Sequence, residues 1–375
     1  MATQTQTVTL PETQQAVQIV EFNKPHELRT IPTPSVSDLR PHEVLIKIAA
    51  SGLCHSDLEY LKGGFPLDLP VTACHEGTGT VIAFGSNMHR FKVGDRVVAG
   101  QTFGCCGDCE DCNGPEHSRH YCQNRETMMC AGGRNGAFQE YLVIDGREAS
   151  KIPDAMSFAT AAPLACAGMT AWRAVLNAKL KSGQWIGIMG SGGGLGHLAI
   201  QFAKKVHGLK VVAVDARDDG LALSKEMGAD VVLDARKGKD AVVEGAKAAT
   251  GKQGGVDATI ELSGHPTAAE TGAAIVRNHG RFVQVAIVDR VSIPVLEFLF
   301  RDIHVSGSLM ASQKETEEML HAVVKHKIHV ENNIFDGLAV IPKVVEMLQN
   351  VQYRGKAAIV VDENAVGVRP GDGRV

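Results

Sequence analysis

Five of the chain's nine cysteines fall between positions 105 and 122. Four of them, Cys106, Cys109, Cys112 and Cys122, read as Cys-x2-Cys-x2-Cys followed by a further thiol. Thiolates this close in sequence fold into a compact lobe and form the ligand set of a closed, tetrahedral structural zinc. A disulfide knot and an iron–sulfur cluster are the competing occupants of such a pattern. An odd cysteine count suits metal thiolates in a reducing compartment, with the cytosol as default. Cys105 leaves the register open by one residue.

A second set is dispersed: Cys54 in Cys54-His55-Ser56-Asp57, His75 in Cys74-His75-Glu76, and Cys166 in Leu164-Ala165-Cys166-Ala167-Gly168. A lone buried cysteine is usually a small hydrophobe, and a lone histidine a satisfied core residue. Together, two thiolates and one imidazole leave a fourth metal position open, as a catalytic zinc requires.

The third chemical signal is Gly190-Ser191-Gly192-Gly193-Gly194-Leu195-Gly196. Such glycines let backbone approach a pyrophosphate and set a helix N-terminus at the anion. The G-x-G-x-x-G register that ends at Gly196 has Ser191 in its first place, so the motif is a variant. Asp215 ends the next apolar run. A carboxylate there accepts from ribose hydroxyls and repels a 2′-phosphate, which favours NAD over NADP; Arg217 tempers the preference.

These residues need elements to hold them. Short strand-like runs at Ala16–Phe22, Glu43–Ala50, Gly79–Phe84, Asp95–Ala99 and Phe138–Ile144, punctuated by prolines and turn residues, describe a β-rich module with little helix. After about Pro163 the pattern alternates strand and helix. The strands expected are Trp185–Met189, Lys210–Val214, Val231–Leu233, Val256–Leu262, Arg281–Val285 and Ile303–Ser306. Leu195, Leu198, Ala199, Phe202, Ala203 and Val206 lie on one helical face between the first two. This alternation predicts an α/β doubly wound parallel sheet. From Leu309 two amphipathic segments and a strand at Ala357–Val361 return to the first module. The expected domains are therefore 1–163 with 309–375, a catalytic zinc-binding domain, and 164–308, a dinucleotide-binding Rossmann domain.

Composition narrows the class. At 375 residues, two domains are expected. A net charge of −4 with scattered Lys and Arg speaks against nucleic acid or a basic membrane face as partner. Met1–Thr9 reads as a polar tail and not a secretory signal. The uncharged stretch Ala155–Trp172 carries Ser, Thr, Gly and Pro and reads as soluble core, not a membrane span.

In combination, Cys54-His55-Ser56-Asp57, His75-Glu76-Gly77, the Cys106–Cys122 cluster, Pro163-Leu164-Ala165-Cys166-Ala167-Gly168 and the glycine loop resemble the medium-chain zinc alcohol dehydrogenase family, its yeast and microbial branch above all, over about Gln15 to Val361. The resemblance implies a β-rich GroES-like catalytic domain beside the Rossmann domain. It also implies reversible hydride transfer between an alcohol and its aldehyde or ketone, with NAD and two zinc ions per subunit, in a homo-oligomer. By that likeness Cys54, His75 and Cys166 hold the catalytic zinc and Ser56 begins the proton relay. Asp57 orients the His75 imidazole, and Glu76 lies behind the metal. His55 and Lys356 reach the cofactor pyrophosphate, and Thr170 stands beside the nicotinamide.

The chain departs from the family pattern at four places. Glu59 replaces a relay-ending histidine, and Cys74 replaces the glycine before His75. The interval from Cys112 to Cys122 is longer than usual. Gly220 stands where many relatives have a lysine that supports the adenosine ribose, with Arg217 nearby as a substitute. Phe65, Phe103 and Ile287 are candidates for an apolar substrate wall. The rival readings are a zinc reductase of a larger aromatic or secondary-metabolite aldehyde, a non-catalytic zinc module, and a zinc-free quinone reductase.

Overall fold

The computed structural model describes residues 9–365 and the backbone of Gly373–Arg374. Of the polar tail expected over Met1–Thr9, all but Thr9 lies outside the described residues, as does most of the glycine-rich C-terminal tail. Two compact units emerge: one runs to Cys166 and takes in Ser312–Leu320 and the chain from Asn332, the other comprises Ala167–Ala311 and His321–Glu331. The boundaries fall at 166/167 and 311/312 where the sequence pattern placed them at 163/164 and 308/309. The C-terminal return is also interrupted, because 321–331 belongs with the second unit.

The first unit is built around the strand Glu43–Leu53, which pairs antiparallel with Gly77–Phe84, Tyr141–Asp145 and Lys356–Val360. Ten of its eleven residues are buried. Partners along its length and side chains against both faces exclude water from both sides. Ile46, Ile48, Phe138, Ile144 and Ile359 belong to the resulting core. The strand ends at Leu53, where a helix, His55–Lys62, begins. Little helix was expected here, because the residue that precedes it is Cys54 and not a Ser or Thr. The cap comes instead from Asp57, whose Oδ2 accepts the Cys54 N–H at 2.9 Å. Gly63, in the left-handed region, ends the helix.

The second unit is a six-stranded, wholly parallel sheet in the order Val231–Asp234, Lys210–Asp215, Trp185–Met189, Val256–Glu261, Val276–Gln284, His304–Gly307. Numbered along the chain this is 3-2-1-4-5-6, the Rossmann order, with its switch point between Trp185–Met189 and Val256–Glu261. The helix after the glycine loop, Gly196–Gln201, continues through a wider turn at Phe202–Val206. Leu198, Ala199, Phe202 and Ala203 from its expected apolar face have no exposed surface. The stretch Ala155–Trp172 is mostly buried. Among the described residues no helix is long and apolar enough to cross a membrane.

Candidate active site

The cysteine lobe closes on itself. Cys106, Cys109, Cys112 and Cys122 bring their four Sγ atoms within 4.8 Å of one another. The closest pairs stand 3.6, 3.7 and 3.8 Å apart. Zinc–sulfur bonds of about 2.3 Å give tetrahedron edges of roughly 3.8 Å, so the quartet fits the ion without rearrangement. The long interval before Cys122 is taken up by a tight helical turn, Glu116–Tyr121. Cys105 resolves the register by staying out of the quartet. It is buried with its Sγ toward the Arg119 carbonyl, and burial pushes its thiol up to about 12.

The dispersed set converges as well. Cys54 sits at the start of its helix, and His75 and Glu76 immediately precede the strand Gly77–Phe84. Cys166 follows the turn Pro163–Ala165. One ligand atom from each of Cys54, His75, Glu76 and Cys166 lies within 4.8 Å of the others, and the two Sγ atoms are 3.8 Å apart, again a zinc-sized edge. Glu76 is fully buried and its Oε2 has no hydrogen-bond partner among the described residues. A carboxylate oxygen so placed beside two thiols and an imidazole completes a donor set whose chemistry fits a zinc ion. Burial works against a charged His75, but Cys54, Asp57 and Glu76 raise it to about 9, which reports the same excess of negative charge.

Around this set buried side chains hold the ligand-bearing segments in place. Asp57 is fully buried, and burial pushes its carboxyl up to about 6. Its Oδ2 and Oδ1 accept the N–H groups of Cys54 and Cys74 at 2.9 and 3.0 Å, and so tie the two ligand-bearing segments together. The group facing His75 Nδ1 is the Tyr60 hydroxyl, at 3.5 Å and edge-on to the ring. Lys356 turns inward and is buried. Its Nζ donates to Glu76 Oε1 at 2.7 Å and to the Leu53 carbonyl at 2.8 Å. Burial alone would strip its proton, yet Glu76, with Cys54 and Cys166, holds it on. A hydrocarbon-stemmed cation reaches a buried carboxylate that sequence separation hides.

Ser56 keeps its Oγ 3.8 Å from the Cys54 sulfur. His55 is exposed on the first turn of the helix, and Thr170 is half-buried in the helix Ala167–Asn177. Glu59 pairs outward with Lys62 at 2.8 Å, both half-exposed. Cys74 adopts φ 79°, which explains the glycine of relatives. Its Sγ donates to the Gly52 carbonyl and accepts from the Glu76 N–H, so it packs and does not ligate. Phe103 is no substrate wall: it is wholly buried under the Arg134 guanidinium. Phe65 meets Tyr60 edge-on, while Ile287 is 76% exposed on the second unit. Sequence reasoning passed over Tyr60 and Gly52. A Cβ at Gly52 would collide with the Glu76 carboxylate, and only a glycine beside an acidic residue on the adjoining strand hinted at this.

In the second unit, Asp215 is buried at the end of its strand and accepts the N–H groups of Gly192, Ala216 and Arg217 at 2.9, 2.8 and 3.0 Å. The positive φ that the turn needs is at Gly190, one place ahead of the variant Ser191. Ser191 is therefore free to be a residue with a side chain, and its hydroxyl meets that of Ser224 at 2.7 Å. Gly192 packs directly on the Gly220 backbone, where a Cβ would collide. Gly193, Gly194 and Leu195 lead into the helix that opens at Gly196.

The comparisons with known proteins agree with this geometry. Residues 40–154 match the alcohol dehydrogenase GroES-like domain and residues 194–325 the zinc-binding dehydrogenase domain. The alcohol dehydrogenase of Schizosaccharomyces pombe is 32% identical over 95% of this chain and 99% of its own. That of Geobacillus stearothermophilus is also 32% identical, over 92% of this chain and 99% of its own. Among solved structures, the alcohol dehydrogenase of Aeropyrum pernix superposes with a TM-score of 0.82 at 28% identity, covering 92% of this chain and 99% of that one. With both domain models matched and curated alcohol dehydrogenases 32% identical over nearly its whole length, the chain belongs to the medium-chain zinc alcohol dehydrogenase family, oxidoreductases that act on the CH–OH group.

Proposed function

We propose that the chain oxidises an alcohol to its aldehyde or ketone with NAD, reversibly, using Cys54, His75 and Cys166 as the catalytic zinc ligands and the Cys106–Cys122 quartet as a structural zinc site. The observation that carries this is the meeting of two thiols, one imidazole and an orphaned carboxylate within 4.8 Å in the first unit. Zinc bound there supplies Lewis acidity toward the alcohol oxygen. NAD bound at the glycine loop supplies the hydride acceptor.

The remaining work falls to side chains. Ser56 Oγ, next to the Cys54 sulfur, takes the alcohol proton and passes it outward. With Glu59 paired to Lys62, the proton would pass from Ser56 to solvent. Asp57 holds the Cys54 and Cys74 backbones in register, and Glu76 stands behind the metal ligands, neutralised by Lys356. Asp215 takes the adenosine ribose, with the Gly190–Gly196 loop at the pyrophosphate and His55 and Thr170 as further cofactor contacts. The thiol-rich ligand set supports a reducing, cytosolic setting.

A homo-oligomer is part of the same reading. The last strand, His304–Gly307, is exposed at all four positions, and Ile287, Leu296, Leu299 and Phe300 are 61–80% exposed around 287–309. An open sheet edge beside apolar surface favours pairing with a second copy. Light scattering giving a monomer mass would remove this part.

The test is reduced-nicotinamide absorbance with a panel of aliphatic and aromatic alcohols, with NAD and NADP in parallel, before and after chelation. NAD-linked turnover that a chelator abolishes and zinc restores is expected. No turnover with any alcohol or matching aldehyde overturns the proposal.

A further inference from the structure

The helix that follows the glycine loop carries a polar stripe outside its apolar face: His197, Gln201 and Lys205 recur at i, i+4 and i+8. On a surface helix such a stripe faces water. Here His197 and Gln201 have no exposed surface. The backbone of 327–331, the last stretch of the second unit, takes up their polar atoms. Lys205 Nζ donates to the Lys327 carbonyl at 3.3 Å. Gln201 accepts the His329 N–H at 2.8 Å and donates to the His329 carbonyl at 2.7 Å. His197 Nε2 accepts the Glu331 N–H at 3.1 Å. The stripe thus grips every second residue of the segment.

The last of these contacts fixes a tautomer. A backbone N–H can only donate, so Nε2 is bare and the ring proton sits on Nδ1. That proton meets the Gly193 carbonyl, 3.0 Å away, inside the glycine loop itself. The same carbonyl accepts the His197 N–H at 3.2 Å, so one residue holds it with two donors. Gly192-Gly193-Gly194 has no side chain with which to fix its own peptides, and glycine has the most backbone freedom to lose. In a planar trans peptide the Gly194 N–H points opposite to the Gly193 carbonyl. Holding that carbonyl into the helix turns the N–H outward from the helix N-terminus, the side from which an anion arrives.

We infer that His197 is a positioning residue for the dinucleotide: with its ring locked by the Glu331 backbone, it sets the Gly193–Gly194 peptide that receives the pyrophosphate, which makes the segment 327–331 part of the cofactor site. This inference rests on the reading of Gly190–Gly196 as the pyrophosphate cradle.

The experiment measures two ligands on the wild-type protein, His197→Asn and His197→Gln: NADH by nicotinamide fluorescence, and adenosine, which lacks the phosphates, by competition. An asparagine amide places an N–H near the position of Nδ1, and a glutamine amide places an oxygen near that of Nε2. His197→Gln, which loses the donor to Gly193, is expected to weaken NADH about fivefold, the worth of one net hydrogen bond, and to leave adenosine within about twofold. His197→Asn keeps that donor and is expected to bind NADH within about twofold of wild type. Wild-type NADH affinity in His197→Gln, equal NADH losses in the two variants, or an adenosine loss as large as the NADH loss overturns the inference. Hydrogen exchange on the wild-type protein needs no substitution: amides of 327–331 are expected to exchange several-fold more slowly with NADH than with adenosine, and equal rates overturn the inference. If NADH binds the wild-type protein no more tightly than adenosine does, it is the cradle reading that fails.

Discussion

Lys356 Nζ lies 2.7 Å from Glu76 Oε1, with the carboxylate wholly removed from water and the ammonium all but 6% removed. Two ions at that depth stabilise each other, but neither tolerates the loss of its partner. Lys356→Met strands the Glu76 charge behind the zinc ligands, and a loss of about 3–5 kcal/mol in urea unfolding is expected. Adding Glu76→Gln to Lys356→Met should return a large part of that loss. Strict additivity of the two single changes would mean that the pair is not coupled.

The cysteine quartet predicts a separable metal. Cys106→Ser removes one ligand of a site that shares no residue with the Cys54 set. Metal analysis is expected to fall from about two zinc ions per chain to about one, with a marked drop in thermal stability. Full zinc content in the variant would show that the quartet holds something else.

At the glycine loop, Gly192→Ala places a methyl group against the Gly220 backbone. Neither side of that contact is a flexible side chain, so the loop must shift away from Asp215, whose carboxylate accepts the Gly192 N–H. NADH affinity is expected to fall at least about tenfold, while zinc content stays at the wild-type level. Wild-type NADH affinity in this variant would show that the loop is not the pyrophosphate cradle.

His26 gives a pH signature remote from the active site. Its ring is 4% exposed against Phe138, neither nitrogen has a hydrogen-bond partner among the described residues, and burial lowers it to about 4. The unfolded chain takes up this proton near 6.5 and the folded chain only near 4. Folding stability therefore falls as pH drops from 6.5 toward 4, by up to about 3 kcal/mol from this residue. His26→Leu should flatten that limb of the stability profile. An unchanged slope would show that the ring is protonated in the fold.

Much of this was legible in the chain because it is local. The quartet Cys106, Cys109, Cys112 and Cys122 is close in sequence, so spacing alone pointed to four thiols that the fold brings together. The strand Trp185–Met189 was read with its bounds, and the glycine loop and Asp215 follow from it, because a parallel sheet writes its strands as short apolar runs between helical periods. The family motifs named Cys54, His75 and Cys166 in advance.

What tertiary structure decided is where separate segments face each other. Cys54 and Cys166 meet across 112 residues and Lys356 reaches Glu76 across 280, and no periodicity carries that information. Phe103 and Phe65 look equally available as apolar residues, yet one is core and the other meets Tyr60 edge-on near His75. Asp57 could serve an imidazole or two amides. The fold chose the amides because the turn at Cys54 and the left-handed backbone at Cys74 left those N–H groups buried and in need of an acceptor. Residue type sets what a side chain can do; burial and the unmet hydrogen bonds of its neighbours decide which of those things it does.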